Sequence, residues 1–347
     1  MANLGNPPMH VTTSLFVVAI LLLSCLHLTE AQVGVAYGKD GTNLPSPHDV
    51  VNLYKSNGIG SMRLYYPDQA TLQALQGSGI RLVGLTLGVP NDDIQSVATN
   101  PSFADQWVKN NVVPFESSIK YIVVGNEIDP SSSQASSVLP AMQNILNALN
   151  SNNLGDQIKV STSVGTSLVE NAFPPSNGQF GNVQYITPII NFIKQNGSPF
   201  MVNIYPYFAY QRNSKQISLD YALFTSPGTV VTDANNGKNY QNLFDALADA
   251  TYAALDKVGA PDVSLLTSET GWASGGGFGA NHDNAKKYIT NLINHVKNGT
   301  PLKPGRAIET FLFAMFDEDK KPGNEDEHNF GIFTPDQQPK YGSLNFN

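Results

Sequence analysis

Short runs of consecutive apolar residues alternate with amphipathic stretches along most of the chain. The clearest strand pattern is Tyr121-Ile122-Val123-Val124-Gly125-Asn126-Glu127, in which an apolar run leads into an amide and a carboxylate. Uninterrupted apolar residues indicate a strand buried on both faces, as in a parallel sheet. The stretch Val263-Ser264-Leu265-Leu266-Thr267-Ser268-Glu269-Thr270-Gly271-Trp272 has the same design. Each of these two strands is therefore predicted to end at a glutamate.

Eight predicted strands alternate with predicted helices. The strands are Gln32–Gly38, Met62–Tyr66, Arg81–Gly88, Tyr121–Glu127, Ile158–Val164, Phe200–Tyr207, Val263–Glu269 and Thr310–Phe316. The helices are Pro47–Tyr54 (with Ser46 as N-cap), Gln69–Leu75, Asp92–Val97, Ala104–Val112, Ser137–Leu149, Ile186–Ile193, Tyr240–Val258 and Asn281–Val296. This alternation predicts an α/β fold, a (β/α)8 TIM barrel, whose active site lies at the C-terminal ends of the strands. The alternative is an open doubly wound sheet, which usually carries a glycine-rich first turn that this sequence lacks.

The segment between the sixth and seventh predicted strands is too long for an ordinary loop. Residues Phe208–Asn239 contain two strand-like stretches, Ile217–Phe224 and Thr229–Thr232, separated by Ser226-Pro227-Gly228. Long loops in compact domains are usually functional. We therefore predict a small hairpin subdomain after strand six, on the catalytic face, where it would form one wall of an open groove.

The N-terminal residues have the pattern of a secretory signal peptide. Ser14–Leu28 is almost continuously apolar, and Thr29-Glu30-Ala31 suits a cleavage site after Ala31. The residues before the apolar run include no Lys or Arg, which departs from the usual pattern. A membrane anchor is the alternative, but the run is shorter than the roughly 20 apolar residues that a span requires. We predict that residues 1–31 are a signal peptide and that residues 32–347 form one secreted, extracellular domain.

Composition argues against several classes of function. The formal net charge is −8 and no basic run is present, so neither nucleic acid nor an anionic membrane is a predicted partner. The single cysteine, Cys25, lies in the predicted signal peptide, so the mature chain would contain no disulfide. No metal-ligand spacing or phosphate-binding glycine loop is recognisable, so no metal and no cofactor are predicted. We expect a monomer without a membrane anchor.

The two glutamates at strand ends, Glu127 and Glu269, would face each other across the mouth of a barrel. Either one alone could be an ion-pair partner, but two at matching strand ends favour a catalytic pair. Facing carboxylates can divide acid and base roles when their environments separate their pKa values, and glycoside hydrolysis is the commonest use. Aromatic rings near strand ends could stack on sugars or could simply fill the core. These rings are Tyr37, Tyr65, Tyr66, Tyr205, Tyr207, Trp272 and Phe316.

The motifs Val124-Gly125-Asn126-Glu127 and Ser268-Glu269-Thr270-Gly271-Trp272 resemble the two signatures of the plant β-1,3-glucanases, glycoside hydrolase family 17. The resemblance runs from about Val33 to the end of the chain. It includes Val35–Gly38, Arg63–Tyr65, Asn203–Tyr207, Phe313–Glu318 and Asn329–Phe333. It implies a (β/α)8 barrel and a retaining endo-glucanase that acts on a β-1,3-glucan polysaccharide.

The resemblance also implies roles for individual residues. Glu127 is expected to be the proton donor and Glu269 the nucleophile, and Asn126 is expected to contact the sugar 2-hydroxyl at the cleavage site. Glu318, Lys321 and Glu327 correspond to a charged cluster beside the nucleophile. The alternative for this cluster is a solvated ion-pair network, and Glu327 is a rival candidate for the acid. The expected substrate-binding set is Tyr37, Tyr65, Asn126, Tyr205, Tyr207, Trp272, Phe316, Glu318, Lys321 and Glu327.

Three positions depart from the usual family pattern. Ala273 stands where the family usually has Pro, and Asp317 and Asp319 stand where it usually has Asn. The two aspartates are expected to add negative charge near the cleft. Two other functions remain open, a 1,3;1,4-β-glucanase and a non-catalytic, allergen-like protein that binds glucan. Asn196-Gly197-Ser198 and Asn298-Gly299-Thr300 are glycosylation sequons.

Overall fold

The computed structural model describes residues 33–76, 78 and 84–346. The predicted signal peptide, its cleavage site and Arg81–Val83 of the third predicted strand lie outside the described residues. Within the described part, no helix is long and apolar enough to cross a membrane.

Eight parallel strands close into a barrel, as predicted. Each strand pairs with its neighbours in sequence, and the first pairs with the last. The strands are β1 (Val33–Ala36), β2 (Ser61–Leu64), β3 (Gly84–Val89), β4 (Ile119–Asn126), β5 (Lys159–Gly165), β6 (Phe200–Asn203), β7 (Leu265–Thr270) and β8 (Glu309–Leu312).

Helices flank the barrel and bury one face each against it. They are α1 (Pro47–Ser56), α2 (Gln69–Gln76), α3 (Ile94–Thr99), α4 (Pro101–Asn111), α5 (Ala135–Ser151), α6 (Val183–Asn196), α7 (Pro206–Arg212), α8 (Leu219–Ala222), α9 (Leu243–Lys257) and α10 (His282–His295). The predicted cap of α1 is confirmed: the Ser46 side chain accepts from the Asp49 N–H, and Pro47 occupies the first turn.

Inside the barrel, apolar side chains are followed by polar ones toward the C-terminal ends of the strands. Tyr121, Val123, Met201, Leu266 and Phe311 form an apolar cluster separate from the main core. Alternate strand residues face the same side, so Asn203 follows Met201 inward on β6 and Ser268 follows Leu266 on β7. Both polar residues are buried. The barrel therefore ends in a layer of polar groups that the side chains of the catalytic face can use.

The subdomain after β6 differs from the predicted hairpin. Ile217–Phe224 is not a strand: it contains α8, whose first turn is capped by the Ser218 hydroxyl on the Tyr221 N–H. The cap satisfies one of the N–H groups at the start of this short helix. A hairpin does exist, but Val231–Thr232 pairs with Asn239–Tyr240 instead. A second hairpin, Val169–Glu170 with Gln179–Phe180, follows β5 and was not predicted.

Five predicted strands end earlier than expected: β1 and β2 by two residues each, β4 by one, and β6 and β8 by four each. β6 stops at Asn203 rather than Tyr207, because Pro206 begins a helix and cannot continue the ladder. β8 stops at Leu312 rather than Phe316. In addition, α9 starts at Leu243, three residues after the predicted start, where the Asn242 side chain caps it. These differences place Tyr205 and Tyr207 at the start of a helix rather than at the end of a strand.

At Gly88 the backbone of β3 lies very close to the residue that follows β2. A Cβ at Gly88 would lie 2.3 Å from the carbonyl oxygen of Tyr65. Gly88→Ala should therefore lower the free energy of unfolding by about 1–3 kcal/mol, measured by urea denaturation. Gly228→Ala is the control, because a Cβ there meets nothing within 4 Å, and its stability should change by less than about 1 kcal/mol. Equal stability of both variants would contradict the packing at Gly88.

Candidate active site

A bulge at the end of β4 directs Glu127 toward the barrel mouth. The pairing of β4 with β5 shifts register between Val123 and Asn126. Gly125 has φ of 75° and Glu127 has φ of 52°. Bulges commonly re-aim side chains at functional sites, and a non-glycine residue with positive φ is strained. The Glu127 N–H still donates to the carbonyl of Ser163 on β5, at 2.9 Å, which holds this backbone in place.

Asn126 is fixed by the side chain of Asn91, which lies just after β3. The Asn91 Oδ1 accepts from the Asn126 N–H at 2.8 Å, and the Asn91 Nδ2 donates to the Asn126 carbonyl at 3.0 Å. Both backbone groups of Asn126 are thus satisfied by one amide. The bulged strand end is therefore rigid where its two polar side chains project.

Glu269 lies on β7 and is held by three donors. Its Oε1 accepts from the Arg63 Nη1 at 2.9 Å and from the Tyr65 hydroxyl at 2.8 Å. Its Oε2 accepts from the Tyr205 hydroxyl at 2.9 Å. Burial, reinforced by the charge of Glu269, raises the pKa of both tyrosine hydroxyls well above the usual value, so they remain donors. Glu269 is 7% exposed, and this set of donors stabilises negative charge on it.

Arg63 donates hydrogen bonds to several groups at the strand ends that carry the two glutamates. Its guanidinium, 2% exposed, also donates to the Ser268 carbonyl at 2.7 Å and to the Asn126 Oδ1 at 2.8 Å. The guanidinium carbon lies 4.6 Å from the centre of the Tyr65 ring, in cation–π geometry. One buried cation thus ties the ends of β2, β4 and β7 together.

Asn203 connects the two candidate catalytic strands from below. Its Nδ2 donates to the Glu127 Oε1 at 3.0 Å and to the Asn126 Oδ1 at 3.2 Å. Its Oδ1 accepts from the hydroxyls of Ser163 and Ser268, at 3.0 and 2.8 Å. These partners define which side of the amide is oxygen. Asn203 and Arg63 therefore fix Asn126, Glu127 and Glu269 relative to one another.

Glu127 and Glu269 have different environments. Glu127 opens to the cleft, whereas Glu269 is buried under its donors. Desolvation by the cleft walls, followed by the negative charge of Glu269, raises the pKa of Glu127 above its usual value. The Asn203 hydrogen bond and the Arg63 charge oppose that rise. A protonated acid beside a carboxylate is the pairing that acid-assisted displacement needs.

Two cavities meet at this strand end. One, of about 270 Å³, is lined by the ends of β2, β3 and β4 and includes Arg63, Tyr65, Tyr66 and Asn126. The other, of about 530 Å³, is lined by Glu127–Ser131, by the end of β5 and by the hairpin that follows β5. Space for a ligand therefore extends to both sides of the β4 end.

The predicted aromatic set divides into three groups. Tyr66 is exposed and lines the smaller cavity, and it makes no hydrogen bond to Glu269 within the described residues. Tyr65 and Tyr205 are half-buried and touch Glu269, so the structure places them in the site. Tyr37, Tyr207, Trp272 and Phe316 are at most 1% exposed. The Tyr207 hydroxyl donates to Asp326 and the Trp272 indole N–H to the carbonyl of Gly279. The expectation that these four contact substrate does not fit their burial: they form packing behind the site.

The members of the predicted charged cluster differ in their environments, and the charges of Glu318 and Lys321 interact with that of Glu269. Lys321 pairs with the Glu327 carboxylate at 2.9 Å and lies 4.4 Å from the centre of the Phe313 ring. Glu318 is buried, and this burial, opposed by the charge of Lys321, raises its pKa to about 7. Of the two candidates for the acid, Glu327 is thus engaged in an ion pair with Lys321, whereas Glu127 faces the cleft.

The two aspartates that depart from the family pattern are both engaged. Asp317 accepts two hydrogen bonds from the Lys340 ammonium, at 2.8 and 2.7 Å, and one from the Gly331 N–H. Asp319 accepts from the backbone N–H and the hydroxyl of Thr42. The charge of Asp317 is therefore paired with a cation of the C-terminal segment, whereas Asp319 is hydrogen-bonded by the loop after β1.

Sequence reasoning did not single out Arg63, Asn203 or Asn91 as site residues. A usable signal existed for Arg63, because it is the one charged residue in the strand Ser61–Leu64. Asn203 similarly ends an otherwise apolar strand, Phe200–Asn203. Among the described residues, no group of three or more His, Cys, Asp or Glu side chains could hold a metal ion.

Comparison with known proteins identifies the family. Residues 33–346 match the model of the glycosyl hydrolases family 17. The chain belongs to glycosyl hydrolase family 17. It is 53% identical over 337 residues to a glucan endo-1,3-beta-glucosidase of Vitis vinifera, covering 94% of this chain and 96% of the relative. It is 48% identical over 335 residues to a basic vacuolar isoform of Nicotiana tabacum, covering 94% and 88%.

Solved structures of the family agree with the barrel. CJP38, a beta-1,3-glucanase and allergen of Cryptomeria japonica pollen, is 43% identical, with a TM-score of 0.86 over 91% of this chain and 99% of that one. The family 17 chain is therefore a glycoside hydrolase with a (β/α)8 barrel.

The charge of Glu269 contributes to the raised pKa of Glu127, and this contribution can be tested. Glu269→Gln should lower the pKa of Glu127, because it removes one raising cause and leaves the Arg63 charge, which acts in the opposite direction. Carbon-13 NMR titration of the Glu127 carboxyl measures this. Glu116→Gln, on the exposed turn before β4, is the matched control and should leave the titration unchanged. An unchanged or higher pKa in Glu269→Gln would contradict the proposed coupling.

Proposed function

We propose that this family 17 chain is a retaining endo-glycosidase that cleaves internal 1,3-β-glucosidic bonds. The observation that carries the proposal is the pair Glu127 and Glu269, which Arg63, Asn126 and Asn203 link in one hydrogen-bonded network. Support for the linkage comes from the relatives and the solved neighbour, which are named as 1,3-β-glucanases. The two roles below follow from the environments of the two carboxyls.

In the first step, Glu269 is the nucleophile and Glu127 the acid. A Glu269 carboxylate oxygen bonds to the anomeric carbon while the glycosidic C–O bond breaks. The bonding pair leaves with the glucan oxygen, which takes the Glu127 proton. The raised pKa of Glu127 keeps that proton available, and the hydroxyls of Tyr65 and Tyr205 hold the nucleophile in one orientation. The product is a covalent glycosyl-enzyme with inverted configuration.

In the second step, Glu127, which was the acid, becomes the base. Ester formation consumes the negative charge of Glu269, so one cause of the raised Glu127 pKa disappears. Glu127, now a carboxylate, takes a proton from water, whose oxygen bonds to the anomeric carbon as the ester bond breaks. Two inversions give net retention, and both carboxyls return to their first protonation states.

We propose that Asn126 recognises the sugar between the two carboxyls. Its Oδ1 accepts from Arg63 and Asn203. Its Nδ2 makes no hydrogen bond to any other residue in the described part of the chain. A free amide donor beside the nucleophile fits contact with the 2-hydroxyl, where hydrogen bonds strengthen in the transition state. The half-buried Tyr65, Tyr205 and Lys321 supply further surface for substrate.

An open groove fits internal cleavage. Cavities of about 270 and 530 Å³ extend from the β4 end. A bound glucan polymer could therefore continue past the reacting sugar in both directions. The subdomain that contains α7 and α8 supports one wall through Tyr205 and Phe208, which are half-buried and pack 5.1 Å apart.

The linkage is tested by product analysis on a linear 1,3-β-glucan and on a mixed-linkage 1,3;1,4-β-glucan. Short oligomers released early from the linear glucan, with the β-anomer first by proton NMR, are the expected result. Preference for the mixed-linkage polymer would instead indicate a 1,3;1,4-β-glucanase. Binding without hydrolysis of either polymer would indicate a non-catalytic glucan-binding protein.

Substitutions separate the two carboxyl roles. Glu269→Ala should lower turnover at least about 10³-fold, and azide or formate should restore turnover with an inverted product, because the small anion fills the vacated space. Glu127→Ala should slow poor leaving groups about 10²–10⁴-fold and activated aryl glycosides far less, because the latter need no acid. Glu116→Ala should behave as wild type. If Glu327→Ala alone reproduced the Glu127→Ala pattern, the acid would be misassigned.

We also propose that residues 1–31 direct the chain into the secretory pathway and are removed there, leaving residues 32–347 as the catalytic domain. The proposal rests on the apolar Ser14–Leu28 run and the small residues before Gln32. Asn298 is exposed, and we propose that it carries a glycan. Asn196 is half-buried, and its Nδ2 donates to the Ser198 hydroxyl at 2.7 Å, so a glycan there would displace a folded contact.

Expression in plant cells tests both points. N-terminal sequencing of secreted material should begin near Gln32, and glycopeptide mapping should place the sugar on Asn298. Asn298→Gln should remove the mass increment and Asn196→Gln should not. Recovery of Met1 from secreted protein would contradict cleavage, and a glycan on Asn196 would contradict the site assignment. Cell fractionation would distinguish the apoplast from the vacuole.

A further inference from the structure

Asp326 is a buried carboxylate that the proposed reaction does not use. It is 2% exposed and lies on the short turn Glu325–His328 after β8. Its Oδ2 accepts from the Tyr207 hydroxyl at 2.9 Å and from the Gln211 Nε2 at 2.8 Å. Its Oδ1 is buried and has no partner among the described residues. A carboxylate with an unpaired buried oxygen costs free energy that an apolar side chain would not.

The two donors lie on one face of α7. Tyr207 and Gln211 are four residues apart, so their side chains meet on the same side of the helix, and the Gln211 Nε2 also contacts the Tyr207 hydroxyl at 3.1 Å. A single carboxylate oxygen therefore accepts hydrogen bonds from two successive turns of this short helix. The acceptor, Asp326, lies in the segment after β8, whereas the helix lies in the segment after β6.

A third segment closes against the same contact. A Cβ at Gly277, in the loop after β7, would lie 2.3 Å from the Tyr207 hydroxyl and 2.7 Å from the Asp326 Oδ2. The loop can pass only because that residue has no side chain. Asp326 thus joins the segments that follow β6, β7 and β8, at a point away from both glutamates.

The helix held by Asp326 begins beside the nucleophile. Tyr205 immediately precedes α7 and donates to the Glu269 Oε2 at 2.9 Å. Its ring packs on Phe208 at 5.1 Å and on Phe330 at 5.9 Å. A shift of α7 would therefore move the Tyr205 hydroxyl relative to Glu269, and reactions of this kind are sensitive to displacements of about 1 Å.

We infer that Asp326 is a positioning residue: it fixes α7 so that Tyr205 orients the Glu269 carboxylate. The inference deepens the proposed function, because it rests on Glu269 as the nucleophile. Asp326 touches neither reacting carboxyl, and it acts through Tyr205. Its neighbour Glu327 is paired with Lys321, so the same turn also carries part of the charged cluster beside the nucleophile.

A double-mutant cycle tests the route through Tyr205. Asp326→Ala should lower kcat/KM on a linear 1,3-β-glucan about tenfold, mostly in kcat, and Tyr205→Phe about 10- to 100-fold. If Asp326 acts through the Tyr205 hydroxyl, the double variant should be no slower than Tyr205→Phe alone. Tyr207→Phe removes one donor without removing the ring, and it should show the same non-additivity at a smaller size.

Hydrogen exchange supplies a readout that does not depend on activity. Amides of residues 206–212 should exchange faster in Asp326→Ala than in the wild type, without ligand. Asp233→Ala is the matched control: Asp233 is also a buried carboxylate, but it accepts from Ser176 and Asn235. It should leave both kcat and exchange at 206–212 unchanged. An inactive wild type would defeat the proposed function without affecting this readout.

Three results would overturn the inference. The first is a folded Asp326→Ala or Tyr207→Phe protein with wild-type kcat. The second is a set of effects that multiply in the double variant, which would mean independent roles. The third is unchanged exchange across residues 206–212 in Asp326→Ala.

Discussion

The buried ion pair between Arg63 and Glu269 is the contact on which the catalytic face depends. A guanidinium that is 2% exposed requires partners for its N–H groups, and those partners come from β4 and β7. Burying such a pair is favourable only when its remaining hydrogen bonds are satisfied. The need to satisfy one cation therefore brings Asn126 and Glu269 to fixed positions, and Asn203 extends the same network to Glu127.

This network is possible because the side chains inside the barrel change from apolar to polar toward the C-terminal ends of the strands. Apolar residues such as Met201 and Leu266 fill the lower part, and polar residues two positions later take over at the strand ends. A rigid apolar layer below prevents water from competing for the polar groups above, so short hydrogen bonds among them retain their strength. The candidate catalytic residues consequently lie at the strand ends or within two residues of them.

Much of the fold could be predicted from the sequence, because the periodicity that specifies strands and helices is local. The strand-end glutamates were also visible, since each interrupts the pattern after a long apolar run. The direction of a side chain was not: Tyr205 and Tyr207 are two residues apart, yet Pro206 starts a helix that sends one to Glu269 and the other to Asp326. Arg63 and Asn203 were missed although each is the one residue of its kind in a short strand, because the partners that give them a role lie on strands distant in the sequence. In the subdomain, a serine-capped helix stands where the apolar residues predicted a strand.

The backbone at Glu127 has a consequence for evolution and engineering. A glutamate held at φ of 52° occupies a conformation that asparagine or glycine adopts at lower cost. The residue that the proposed reaction needs at this position is thus not the one that the main chain prefers. Under that proposal, replacing it by asparagine would relax the strand end at the expense of activity. Stability and the proposed function would then make opposite demands on this residue.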